Sequence, residues 1–215
     1  MPDAPGTAAP AVVLIGYSGH AWVVADCLLA AGYGLAGYCE RAPQARNPFG
    51  LPYWGVETDA TVLARLAAAG WFVAIGDNTA RAKIQARLTA ALGAAPVVAR
   101  HPSAVVSAHA VLGAGTLVAP LAVINAGATL GAGVICNTGA IVEHECVIGD
   151  FAHIAPGAVL AGNVTVAAGA FVGAGAAVRQ GVHIGAGAMV GAGAVVVKDV
   201  PPGARVVGNP HRLLA

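Results

Sequence analysis

The chain has 215 residues, a net charge of +1, 10% charged residues and 57% apolar ones. That balance excludes the basic face of a nucleic-acid binder and leaves no charge run for a membrane-surface helix. A mean hydropathy of +0.73 raises a membrane protein, but Gly, Asn, Pro and His punctuate the uncharged residues 101–142 with a period that no spanning helix needs.

Residues 1–10 have no basic start and 11–15 are too short for a signal core, so a cytoplasmic protein is expected. Residues 11–15 read as a strand, Gly16-Tyr17-Ser18-Gly19 as a tight turn, and 20–31 as a helix stopped by Gly32. A second strand follows at 35–39. Residues 61–69 read as a helix, 71–75 as a third strand, Gly76-Asp77-Asn78 as a turn, 79–92 as a helix and 96–99 as a fourth strand. Strand–helix alternation at this spacing implies a small, Rossmann-like parallel sheet with helices on its faces. Cys27, Cys39, Cys136 and Cys146 form no CxxC pair and read as reduced, mostly buried thiols.

The grammar changes near Arg100, which predicts an α/β domain over 1–100 and a second domain over 101–215. From Val106, every sixth residue through Val196 is a branched aliphatic, except Cys136. Four residues after each anchor sits a small residue such as Ala110, Ala128 or Ala152. A fixed period means stacked units that bury their apolar face only against neighbours. Three hexads make one triangular coil of 18 residues. Glycine just after the anchor, as at Gly113, Gly131, Gly149 and Gly173, suggests a need for backbone freedom.

The aliphatic–Gly–x–x–small–x pattern resembles the hexapeptide-repeat acyltransferases, which fold as left-handed parallel β-helices. Residues 13–25 (VLIGYSGHAWVVA), 73–84 (VAIGDNTARAKI), 101–107 (HPSAVVS) and 137–152 (NTGAIVEHECVIGDFA) sharpen it. Together they look like the family of sialic-acid O-acetyltransferases and nucleotide-linked amino-sugar N-acetyltransferases. The resemblance implies acetyl-CoA as co-substrate, a nucleotide-sugar substrate and a homotrimer. Glu40 stands where that family often has Asp, which leaves the nucleotide base open. His211-Arg212 replaces a common Ala-Lys after the proline.

His144 and Glu145, with Glu143, interrupt the uncharged stretch. His144 is second after its anchor Val142 and points away from the core. One coil on, Gly162 has no side chain to fill the space beside it. Imidazole suits a general base near neutral pH, a carboxylate can hold its tautomer, and a backbone N–H can meet an oxyanion. His144, Glu145 and Gly162 are therefore the expected catalytic set. Cys146 faces inward, so no acyl-enzyme is expected.

The resemblance implies that His153 lines the same pocket, against substrate and cofactor. Asn137 stands where glycine is common; a ligand contact and a tolerated turn are both open. Gly16, Ser18, Gly19 and His20 open a helix that can hold phosphates on backbone N–H groups. Glu40, Gly76, Asp77, Asn78 and Arg81 join them at strand ends, where open parallel sheets bind ligands. Gly162, His153 and Lys198 are the cofactor candidates, with Arg212 beside Lys198.

N-acetylation of a nucleotide-linked amino sugar is the leading activity, with O-acetylation of sialic acid as the enzyme alternative. A zinc hydratase on the same scaffold needs three His ligands, two of them four residues apart, and no such pair occurs, so no metal is expected. A non-catalytic scaffold predicts no coenzyme A binding.

Overall fold

The computed structural model describes residues 11–214. Residues 1–10, read above as free of a leader, lie outside the described residues. The first domain runs β1 (Val12–Ile15), α1 (Gly19–Ala30), β2 (Leu35–Cys39), β3 (Tyr53–Gly55), α2 (Ala60–Leu66), β4 (Gly70–Val73) and α3 (Asn78–Leu92). Its sheet is parallel in the order β3-β2-β1-β4. The fourth strand is thus β3, not residues 96–99. Val97 gives one N–H to the Trp71 carbonyl, and Ala99–Arg100 then pairs with Leu117–Val118 of the second domain.

Central strand β1 is buried on both faces, as expected of a parallel sheet. Val13 and Ile15 pack with Val62, Leu66 and Leu88 under α2 and α3. Val12 and Leu14 pack with Val24 and Leu28 of α1, and that core continues into Ala99, Leu117 and Ile135 of the second domain. Helix α1 is therefore clamped between sheet and coil.

The second domain is a left-handed parallel β-helix of two-residue strands on three faces. Face I runs from Val105–Val106 to Val195–Val196, face II from Val111–Leu112 to His183–Ile184. Face III runs from Ala99–Arg100 to a closing antiparallel pair, Arg205–Val207 with Arg212–Leu213. Each strand pairs with the one 18 residues on, as Thr129 with Val147 and Ile141 with Val159. Every anchor from Val118 to Val196 is buried, as the hexad pattern requires.

The glycines play a different part from the one expected. The left-handed backbone falls three residues after the anchor, at Gly115, Gly127, Gly139 and their equivalents. The glycines directly after the anchor have no such angle. A Cβ on Gly149 would come 2.6 Å from the Ala168 nitrogen of the next coil, so close approach is what excludes a side chain there. Among the described residues, no helix is long and apolar enough to cross a membrane.

Candidate active site

Residues 143–146 turn the chain from face I to face II. Glu145 occupies the left-handed position with φ of 61°, a conformation that costs a non-glycine residue about 1–2 kcal/mol. This bend brings its carboxylate back to His144, Nδ1 to Oε2 3.0 Å, with both side chains exposed at 54% and 70%. Nδ1 then carries the proton and Nε2 is left with a lone pair. The Nε2 end of the ring lies over Gly162: a Cβ there would sit 2.5 Å from His144 Cε1 and Nε2. Gly162 is buried, and its N–H donates to no backbone acceptor. A buried N–H without a partner is rare, and it sits directly beneath a candidate base. Cys146 is buried, donates its thiol to the Ala161 carbonyl at 3.3 Å and is pushed up in pKa by burial.

Stepping by 18 from His144 gives Gly162, Gln180 and Lys198 on one corner of the prism. Gln180 and Lys198 are exposed. Three coils separate Lys198 from His144, about 14 Å at the usual strand spacing. Sequence reasoning passed over Gln180, which the same step finds.

His153 lies elsewhere. It is a strand residue of face III, while His144 is at the corner between faces I and II. The two do not share a pocket within one chain, because the period of six assigns them to different sides of the prism. His153 is buried, with Nε2 3.2 Å from Asn137 Nδ2, and its ring meets Phe171 edge-on at 4.9 Å. His20 of α1 stands 6.4 Å away. Burial, then the Arg81 cation, holds His20 down at about 4. The same two causes, with His20 added, hold His153 at about 4, against an opposing Gly76 carbonyl. His20 Nε2 and His153 Nδ1 are buried with no partner in the protein. Asn137 thus holds His153 rather than standing free as a lone turn residue.

The α/β turns form a second region. A Cβ on Gly16 would meet Ile75 Cγ1 at 2.7 Å, so only glycine lets β1 and β4 close there. Ser18 caps α1 without a side-chain hydrogen bond, and Ser18 and Gly19 are exposed. Glu40 accepts from the Tyr17 and Arg41 N–H groups at 3.2 and 3.0 Å. A cleft of about 500 Å³ opens beside Gly16 and Glu40, lined also by Arg41, Glu57, Lys83 and Arg87. Sequence reasoning missed the last four, which reach the cleft only through folding.

Three expected contacts are corrected. Asp77 caps α3, accepting from the Ala80 N–H at 2.7 Å. Asn78 donates to the Gly169 carbonyl of the coil at 3.0 Å. Arg81 is 1% exposed and spends every N–H inside the protein, so it has no donor left for a phosphate.

The family description "PglD N-terminal domain" matches residues 11–88. The acetyltransferase domain of PglB from Neisseria gonorrhoeae, solved with acetyl coenzyme A, is 38% identical over 96% of this chain and 100% of that one, with a TM-score of 0.88. PerB from Caulobacter crescentus, solved with CoA and GDP-perosamine, is 40% identical over 99% of each chain, with a TM-score of 0.88. The chain belongs to the hexapeptide-repeat family of nucleotide-sugar N-acetyltransferases. WeeI from Acinetobacter baumannii is similar at 26% identity over 95% of this chain and 99% of its own, with a TM-score of 0.79. No curated protein matches by sequence. The expected class, an acetyl-CoA-dependent sugar acetyltransferase, and the expected co-substrate stand with this membership.

Proposed function

We propose that the enzyme acetylates the amino group of a nucleotide-linked amino sugar, a 4-amino-4,6-dideoxy sugar, with His144 as general base. The observation that carries this reading is the His144 ring, fixed by Glu145 at Nδ1 and seated on Gly162 with its N–H unpaired. Acetyl-CoA supplies the acetyl group as a thioester. His144 Nε2 takes the proton from the attacking amine as the C–N bond forms, and Glu145 stabilises the resulting imidazolium. The Gly162 N–H meets the oxyanion. The C–S bond breaks and the proton on His144 passes to the departing sulfur. Buried Cys146 takes no part. The corner stack of Gly162, Gln180 and Lys198 fits an extended cofactor arm, with Lys198 near its phosphates.

Residues 1–100 are assigned to the nucleotide. The open first turn of α1, at Ser18, Gly19 and His20, takes the diphosphate. The cleft beside Glu40 takes the nucleoside. The relative solved with GDP-perosamine and CoA supports this substrate class.

The assembly is proposed to be a homotrimer. The outward residues of face I are Val105, Val123, Ile141, Val159, Ala177 and Val195, an unbroken apolar stripe, with Val105 64% exposed. Such a stripe on a soluble fold calls for a cover. His144 and His153, on different sides of one prism, come together only when a second prism packs alongside. Light scattering should give three copies, and Val159→Glu should yield inactive monomers.

The activity test offers UDP-, GDP- and dTDP-linked 4-amino sugars with acetyl-CoA and reads released thiol. Turnover of a free sialic acid in place of all three would overturn the substrate assignment.

A further inference from the structure

We propose that Arg81 is a positioning residue for acetyl transfer: with Asn78 and Gln85 it forms a ladder by which α3 grips successive coils, and so holds His20 against His153 at the substrate turn. The three residues lie at i, i+3 and i+7 on one helix face. Asn78 Nδ2 donates to the Gly169 carbonyl at 3.0 Å. Arg81 donates from Nε to Gly133 O at 2.8 Å and from Nη2 to Phe151 O at 3.0 Å. Gln85 Nε2 donates to Ala114 O at 3.1 Å. The acceptors step down one corner of the prism, between faces II and III. A helical turn rises about 5.4 Å and coils repeat every ~4.8 Å, so helix and coil stay in register over these rungs. Gly133, Phe151 and Gly169 share the left-handed hexad position, with φ of 61°, 57° and 68°. Phe151 adopts it without being a glycine, and its carbonyl is the one Arg81 takes.

The other end of the guanidinium reaches the substrate turn. Nη1 donates to Ile75 O at 3.0 Å and Gly76 O at 2.9 Å, and Nη2 also to Asn78 Oδ1 at 2.8 Å. One side chain therefore ties the turn after β4 to two coils. It is a buried cation with no carboxylate among its hydrogen-bond partners, a costly arrangement that a plain interface does not need. The charged and titratable groups around the histidine pair are each other, Arg81 and, behind it, Asp77. The Arg81 charge, added to burial, keeps both rings neutral, so His20 Nε2 and His153 Nδ1 remain for a ligand.

The test uses the full chain with Arg81→Met and Arg81→Lys, followed by NMR titration of the histidines and by steady-state kinetics. Only the kinetic arm rests on the function proposed above; the titration does not. In Arg81→Met the His20 and His153 midpoints should rise from about 4 without reaching 6.5, because burial remains. kcat should fall about 100-fold, the usual cost of ångström-scale misplacement. Arg81→Lys keeps the charge without the fork, so the midpoints should stay low while kcat recovers only in part. A folded Arg81→Met with wild-type midpoints overturns the proposal, whether or not kcat falls, since a merely structural residue would leave the histidines unmoved. Should Arg81→Met not fold, Arg81→Lys decides: wild-type kcat overturns the fork's role, and reduced kcat with low midpoints supports it.

Discussion

The coil and the α/β domain bury their apolar side chains by different rules. In the coil each anchor meets its counterparts 18 residues away on either side, so every contact is a repeat of the last. In the α/β domain β1 pairs with β2 about two dozen residues on and with β4 nearly sixty residues on, and no repeat announces either. A periodic scaffold therefore shows its exceptions by counting. His144, Glu145 and Phe151 stand out because they interrupt a rule. The polar residues of the α/β domain interrupt nothing, and their roles emerge only where the two regions touch.

The comparison places the chemistry on the coil, and the largest expected effect tests that. His144→Asn should lower kcat by about 10²–10⁴-fold, the range for loss of a general base. The melting temperature should hold, because the side chain is 54% exposed. Near-wild-type kcat in this variant would move the base to His153 and the chemistry to the boundary between the regions.

That boundary should show itself as acid sensitivity. His20 and His153 are held at about 4 against 6.5 unfolded, so the unfolded chain binds more protons between those values. Stability is then complete above pH 6.5 and is lost as pH falls toward 4, by at most about 3 kcal/mol for each ring. Urea midpoints at pH 7 and pH 4.5 should separate accordingly, and His153→Gln should shrink the difference. Equal midpoints in the wild type would show that the boundary does not hold these rings neutral.

A smaller effect belongs to Gly162→Ala. The added Cβ collides with the His144 ring rather than with backbone, so the ring should rotate away and kcat drop about tenfold with the fold intact. Circular dichroism and kinetics on one preparation check both halves.

The smallest effect sets stability against activity at one residue. Glu145→Gly removes a left-handed strain and adds chain entropy to the unfolded state, for a net gain under about 1 kcal/mol. Glu145→Gln keeps the strain. Both should slow acetyl transfer, yet only the glycine variant should melt higher. If neither variant slows it, the strained bend serves the coil and not the histidine.

Sequence alone determined the coil, its period, the inward anchors and the corner that bears His144 and Gly162. This is because a two-residue strand every six residues leaves each side chain only one direction to face. It also placed the parallel sheet, although it put the fourth strand at 96–99. Tyr53–Gly55 escaped because a three-residue edge strand with half-buried side chains has no apolar run to signal it. Only tertiary structure decided that Arg81 binds carbonyls instead of phosphate, that Asn137 holds His153, and that His153 lies on a different side from His144. A polar side chain on a helix carries no periodic mark of its partner. Arg81 meets residues 52 and 70 positions away, and that choice is made when α3 docks its turns against coils of nearly equal spacing.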